Sequence, residues 1–304
     1  MLFMRIPLLM AAVALLLGAS GVLSCDSRGV PERGTSAQDG FTLTPITGGV
    51  GMLVGPGGGN IGVLAGTDGI LLVDTQFQNT VAPIRKVLSG AGGGGEIRWI
   101  VNTHFHQDHT GGNAGLGGAA TRMAHARVRD RLQHPDPNQP ATAAAALPQV
   151  VWEDGVALFV NGQRVEIRHV GPAHTDGDSI VRFLDAKVLH LGDLFFNGWF
   201  PFVDLDHGGT VRGLLAAIEE IHAGLDDSWK IIPGHGPLAD KAALGRFIAM
   251  IRATLGIVEE RVKSGMTLAQ VLGAGLPAEY ESWSWQFIPT HRWLETLARE
   301  CGAK

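Results

Sequence analysis

Three imidazoles and a carboxylate fall within six consecutive positions of the stretch Thr103-His104-Phe105-His106-Gln107-Asp108-His109-Thr110-Gly111-Gly112. Neutral imidazole and carboxylate are the donors preferred by zinc and related divalent ions. A histidine-rich surface loop is the plain alternative, and the density of donors argues against it. The stretch follows the apolar run Ile97–Val101. His104 and His106, two apart at the end of such a run, project to one side as the chain leaves a sheet. Asp108 and His109 set a second cluster beside them, and the adjacent glycines allow a tight turn. Three further candidates lie at strand ends or turns: His174 in Gly171-Pro172-Ala173-His174, Asp193 in Leu191-Gly192-Asp193, and His235 in Pro233-Gly234-His235-Gly236. Each alone reads as a turn residue; in this order they complete what a two-metal site needs. Two cations roughly 3.5–4 Å apart share a water, acidify it and stabilise the oxyanion formed when hydroxide attacks a carbonyl or phosphoryl centre.

Donors so far apart in the chain need a layered scaffold to bring them together. Asn60–Ala65 and Ile70–Asp74 read as strands around the turn Gly66-Thr67-Asp68-Gly69. Asn79–Ser89 has helical apolar spacing through Val81, Ile84, Val87 and Leu88, and Ile97–Val101 is a buried strand. Arg122–Gln133 combines a short strand with a helix, and Asp136–Pro148 is a surface excursion. A second strand-rich half follows, through Val151-Trp152, Val156–Val160, Val165–Val170, Ser179–Leu184 and Lys187–Leu191. Helices are expected over Val211–Ala223, Lys241–Lys263 and Thr290–Glu300, with the strand Lys230–Ile232 between the first two. Two strand-then-helix halves point to an α+β fold, two sheets face to face with helices outside, a four-layered αββα sandwich.

The motif order resembles the metallo-β-lactamase fold superfamily: HxHxDH, a histidine, a bridging aspartate, then a histidine. By motif the resemblance covers about Phe41 to Gly236. It implies that His104, His106 and His174 hold one zinc, that Asp108, His109 and His235 hold a second, and that Asp193 bridges the two. Asp74 is similar to the superfamily's first motif and is implied to support the site without being a ligand. Asp108 is the candidate catalytic residue, orienting the nucleophile and helping return a proton to the leaving group. Metallo-β-lactamases proper carry cysteine or serine where this chain has Asp193, so it is more similar to the glyoxalase II, lactonase and phosphodiesterase branches. Flavodiiron proteins carry glutamate in place of His106, which argues against a redox di-iron site. A persulfide dioxygenase, with one iron on the same scaffold, remains an alternative, as does a non-catalytic periplasmic metal-binding accessory protein. The resemblance therefore implies a zinc-dependent hydrolase, two zinc ions per chain, acting on an ester, lactone, thioester or amide-like bond of a small molecule.

Downstream of Asp193 runs Leu194-Phe195-Phe196-Asn197-Gly198-Trp199-Phe200-Pro201-Phe202. Asn197, Trp199 and Phe200 are the candidate substrate contacts, Asn197 as a hydrogen-bond donor to a carbonyl and the two aromatics at the rim; Phe195 and Phe196 read equally well as core. The stretch holds no Lys or Arg, which argues against efficient β-lactam hydrolysis, and no basic cluster suits the carboxylates of glutathione. The single tyrosine, Tyr280, is not expected to act. Trp283, Trp285 and Phe287 read as packing, and His125, His134, His169, His190, His207, His222 and His291 as structural or solvent-facing, although His207 has some prospect of reaching the pocket.

Across the 304 residues, 45% are apolar and 17% charged, and the net charge is −5. That composition is globular, and without a basic stripe nucleic acid is not an expected partner. Residues 1–25 read as a signal peptide, with Arg5 ahead of the apolar run Ile6–Leu17 and small residues after it. Val22-Leu23-Ser24-Cys25 resembles a bacterial lipobox, so membrane tethering through a lipidated Cys25 and plain secretion are both open. The expected location is periplasmic or extracellular, lipid-anchored in the first case. Residues 26–40 read as a flexible linker and 41–304 as the hydrolase domain. Cys25 and Cys301 are the two cysteines, and a disulfide between them stays open if Cys25 carries no lipid.

Overall fold

The computed structural model describes residues 36–303, apart from Asn138 and Pro140. The expected signal peptide, the lipobox-like stretch and Cys25 lie outside the described residues. Eight strands form the first sheet in chain order: β1 (Ser36–Gln38), β2 (Phe41–Thr47), β3 (Val50–Val54), β4 (Ile61–Gly66), β5 (Gly69–Val73), β6 (Ile97–Asn102), β7 (Thr121–His125) and β8 (Val150–Trp152). Neighbours from β1 to β5 are antiparallel and those from β5 to β8 parallel. β1 falls inside the segment expected as a linker. The second sheet runs β14-β13-β12-β11-β10-β9, built from β9 (Gly155–Val160), β10 (Gln163–His169), β11 (Ser179–Phe183), β12 (Val188–His190), β13 (Lys230–Ile232) and β14 (Ala239–Asp240).

Alternation along the strands builds the layers. In β5, Ile70 and Leu72 pack with Ile84, Val87 and Leu88 of the helix α1 (Val81–Leu88). The intervening Leu71 and Val73 face the second sheet and meet Val181, Phe183 and Val188. β5 is thus buried on both faces, which is why it reads as an unbroken apolar run. β12 and β13 repeat the pattern: Val188 and Ile232 face the first sheet, whereas Leu189 and Ile231 face the outer helices. The order is helix, sheet, sheet, helix, the expected αββα sandwich.

Helices α2 (Gln107–Thr110) and α3 (Asn113–Gly117) carry the chain from β6 to β7, and α4 (Ala126–Gln133) follows β7. The outer layer of the second half holds α5 (Val211–Ala223), α6 (Lys241–Lys263), α7 (Leu268–Ala274) and α8 (Thr290–Glu300). α6 starts where the Asp240 side chain accepts the Ala243 amide at 2.8 Å and buries Leu244, Phe247, Ile248, Ile251, Leu255 and Val258 at helical spacing. α7, β2 and β3 were not expected from the sequence, although Thr267 and Gln270 form the capping box that opens α7.

Strand direction then decides where a site can form. β5 and β6 are parallel, as are β12 and β13. β10 is antiparallel to β11 and β11 to β12, so β10 points the same way as β12. Asp74 follows β5, His104 follows β6, Asp193 follows β12 and His235 follows β13, each within a few residues, with His174 a short loop after β10. Phe183, fully buried between the sheets, tests the packing that holds these ends together. Phe183→Ala is expected to lower stability by about 3–5 kcal/mol, read as a fall in the urea midpoint without a change in slope.

Candidate metal centre

His104, His106, His174 and Asp193 form one group of possible metal donors and Asp108, His109 and His235 a second, the donor atoms of each lying within 4.8 Å of one another. All seven sequence-derived ligand candidates are therefore brought together. Asp193 stands between the groups. Its Oδ2 is 3.7 Å from His104 Nε2 and 3.5 Å from His174 Nε2, while its Oδ1 is 3.1 Å from His109 Nε2 and 3.4 Å from His235 Nε2. Asp108 Oδ2 lies 3.4 Å from His109 Nε2 and 3.2 Å from His235 Nε2.

Four of the five imidazoles, those of His104, His106, His109 and His174, are turned by a partner on the far side. His109 Nδ1 meets Asp74 Oδ2 at 2.8 Å, and His174 Nδ1 donates to the Phe202 carbonyl at 2.8 Å. His104 Nδ1 lies 3.0 Å from Thr103 Oγ1, whose own proton goes to Asp74 Oδ2 at 2.7 Å, so the hydroxyl is free to accept from the ring. These three histidines present Nε2 to the site. His106 is reversed: Asp204 Oδ2 takes its Nε2 at 2.8 Å, and Nδ1 faces His174 Nε2 at 3.0 Å. Holding the outer nitrogen as N–H leaves the inner lone pair available to a cation.

The donor atoms themselves test whether a metal fits. His104 Nε2, His109 Nε2 and Asp193 Oδ1 are buried and have no hydrogen-bond partner; among the described residues the other such atom is Gln76 Oε1. Native proteins rarely leave buried polar atoms without partners, and a divalent cation is the partner that this set of lone pairs suits. The charges agree. Despite burial, His109, His235 and His104 hold Asp193 well below the ordinary carboxylate range. Asp108 is likewise held low by His109 and His235 against the effect of burial. Burial pushes His174 down to about 4 and, with His109 beside it, His104 well below its ordinary value. Burial also opposes a charge on His235, but Asp193 and Asp108 override it and raise it to about 9. Two carboxylates held low thus stand beside His109 and His235, which they draw up against the effect of burial, and beside His104 and His174, which burial keeps down, a set of donors that suits a divalent cation.

The site floors a cavity of about 1590 Å³. Trp199 lines it, as expected from the sequence. Phe200 does not: it is wholly buried, stacked on Trp293 at 5.8 Å, because the chain turns it into the helical layer. Asn197 is also corrected, since it does not line the cavity and its Nδ2 donates to the Pro237 carbonyl at 2.9 Å, fixing a loop. Phe196 reaches the cavity and stacks on His235 at 5.0 Å. Trp285 and Phe287, expected as packing, line the cavity, and so does His207. Asp204 was missed; its only sequence signal was its place beside His207.

A family model for the metallo-beta-lactamase superfamily matches residues 54–237, more than half of the chain. The chain is 30% identical over 183 residues to a hydroxyacylglutathione hydrolase of Anaeromyxobacter dehalogenans, covering 59% of this chain and 65% of that protein. With a hydroxyacylglutathione hydrolase of Polaromonas sp. it shares 32% over 146 residues, 47% of this chain and 49% of the relative. It is 25% identical over 191 residues to the 2,4-dinitroanisole O-demethylase subunit alpha of Nocardioides sp., 60% of this chain and 56% of that one. The chain thus spans less than two thirds of the length of each of these relatives. Among solved structures, a metallo-beta-lactamase from Pontibacter korlensis superposes with a TM-score of 0.55 at 17% identity, over 70% of this chain and 99% of the other, a likeness of fold.

Two substitutions probe the supports of the site. Asp204→Ala removes the acceptor behind His106 and is expected to weaken divalent-metal binding about 10–100-fold, measured by titration against a chromophoric chelator. A Cβ at Gly59 would overlap the His109 ring. Gly59→Ala is expected to cost about 1–3 kcal/mol through overpacking and to lower metal affinity, read from thermal melts with and without added metal.

Proposed function

We propose, from the premise that the chain belongs to the metallo-beta-lactamase superfamily, that it is a two-zinc hydrolase of ester, lactone, thioester or amide-like bonds. Metal-dependent hydrolysis is the activity class supported by the family and by the hydroxyacylglutathione hydrolase relatives. The observation that carries the two-ion reading is Asp193, which turns one carboxylate oxygen to each donor group. A single-iron site, as in the dioxygenase alternative, would leave the second group of Asp108, His109 and His235 without a task. A metal-binding accessory protein has no need of an open cavity above the donors.

When bound, divalent ions lower the pKa of water and stabilise the negative charge developing on a carbonyl oxygen. The protein's own part is positional. Asp193 sets the separation of the two donor groups, while Asp74, Thr103, Asp204 and the Phe202 carbonyl fix the imidazole orientations. Asp108, a quarter exposed and lining the cavity, would accept the proton that the attacking water gives up and pass that same proton to the leaving group as its bond to the carbonyl carbon breaks. The demethylase relative acts, by its name, on 2,4-dinitroanisole, so an aryl ether belongs in any substrate panel. Export, with a lipid tether at Cys25 or without one, is proposed on the leader sequence alone.

The test is the metal content of the purified protein together with turnover of a neutral ester, a lactone, a thioester, a β-lactam and an aryl ether. About two zinc ions per chain are expected, with turnover abolished by chelation and restored by zinc. One iron per chain with oxygen uptake would replace this reading with the dioxygenase.

A further inference from the structure

The wall of the cavity is continuous in aromatic surface from one donor group to the other. Phe202 lies 5.6 Å from the His106 ring and meets Phe287 edge to face at 5.6 Å. Phe287 meets Trp285 at 5.6 Å. Trp285 stacks on Trp199 at 5.1 Å and reaches Phe196 and His235, each at 6.1 Å. The arc therefore begins beside one ligand histidine and ends beside another. It is not sealed core: Phe287 is 49% exposed, and Trp199, Phe202 and Trp285 are half-buried. Apolar surface of this kind beside a polar site serves to bind an apolar group.

The charges on the cavity walls point the same way. Among the described lining residues the one permanent cation is Arg131, and it is committed to Asp176 through Nη2 at 2.7 Å and Nε at 3.2 Å. The other charged groups on the lining are the carboxylates Asp108, Asp136, Asp193, Asp204 and Asp206. The two imidazoles drawn towards positive charge are already paired with them, His235 with Asp108 and Asp193 and His207 with Asp204 and Asp136. Arg292, nearby, does not line the cavity. Its guanidinium sits over Phe287 at 4.5 Å and Phe202 at 5.3 Å, and its Nη1 donates to the Phe287 carbonyl at 3.0 Å, so it braces those rings. A substrate carboxylate would find no free cation on these walls and would lose hydration without compensation.

We propose that the substrates are neutral molecules whose aryl or bulky apolar group lies along the Phe202–Phe287–Trp285 arc, and that anionic glutathione conjugates are selected against. The proposal rests on the hydrolytic reading above and narrows it. The arc sets specificity by holding the apolar group while the scissile carbonyl reaches the floor between His106 and His235. Phe287 is its most accessible ring and Trp285 its most anchored, through Nε1 donating to the Phe200 carbonyl at 2.9 Å.

The test compares thioesters that share one reacting bond. The phenylacetyl thioesters of N-acetylcysteamine and of glutathione differ in the thiol's charge, and the acetyl thioester of N-acetylcysteamine lacks the ring. The neutral phenylacetyl thioester is expected to exceed the glutathione one in kcat/KM by about tenfold or more, and the acetyl one by a similar factor. Phe287→Ala should cut the phenylacetyl-to-acetyl ratio about tenfold, mainly through KM, and Phe287→Tyr should keep it. Phe287 is half exposed, so these variants are expected to fold. Separately, a neutral naphthyl amide should bind the metal-free and metal-loaded protein alike, followed by tryptophan fluorescence, and bind more weakly to Phe287→Ala. Turnover of the glutathione thioester as fast as its neutral counterpart, or an unchanged ratio in Phe287→Ala, overturns the substrate class and leaves the hydrolase standing. Amide binding that depends on Phe287, with neither these thioesters nor the ester, lactone, β-lactam and aryl ether turned over, overturns the hydrolase and upholds the apolar binding site.

Discussion

The Asp74 carboxylate, wholly buried beyond the end of β5, accepts the Thr103 amide at 2.8 Å, the Thr103 hydroxyl at 2.7 Å and the His109 ring at 2.8 Å. A buried carboxylate costs several kcal/mol in lost hydration. Three donors on two oxygens, one of them an imidazole, are what make it tolerable. In return, one side chain ties the end of β5 to the end of β6 and orients two of the candidate ligand histidines, His109 directly and His104 through Thr103. The residue sits at φ +69°, in the left-handed region that aspartate tolerates better than most side chains. That backbone turn lets a residue leaving a buried strand direct its carboxylate towards the next strand's exit.

The same device recurs on the other side of the site. Asp204 accepts His106 Nε2 and also His207 Nδ1 at 2.8 Å, and His106 and His207 hold its carboxyl well below the usual range against the effect of burial. Glycines then provide room that a side chain would fill. A Cβ at Gly234 would overlap Asp193 Oδ1, so the carboxylate between the donor groups approaches the backbone closely at the loop that carries His235. Orientation comes from acceptors behind the rings and proximity from glycines between them. Neither is visible in a count of ligands.

What the sequence reveals follows from how local each signal is. His104, His106, Asp108 and His109 sit in one short loop after an apolar strand, so type and spacing suffice to find them. The hairpin of β4 and β5 is legible because Gly66 and Gly69 bracket its turn and the flanking runs are apolar. The cavity wall is not. Trp199 and Phe200 are neighbours in a loop without periodicity, and only the direction of the chain decides that one faces the cavity and the other Trp293. Trp285 and Phe287 arrive from the C-terminal segment, far from the donors, and a tryptophan-rich stretch beside a helix reads as packing. Asp204 carries no motif; its role exists only because the loop after Asp193 folds back over His106.

Each donor group draws on both sheets. His104, His106, Asp108 and His109 follow β6 of the first sheet, whereas His174, Asp193 and His235 follow strands of the second. A cation held by either group therefore links the two halves of the sandwich at the edge where their apolar interface ends. Since the unfolded chain offers no such preformed set, metal binding contributes directly to folding free energy. The edge is also where the aromatic arc meets the donors, through Phe202 beside His106 and Trp285 beside His235. Packing between the sheets, metal affinity and the shape of the cavity are consequently set by one row of strand ends. A change that shifts the first sheet against the second moves His109 relative to Asp193 before it disturbs any single layer.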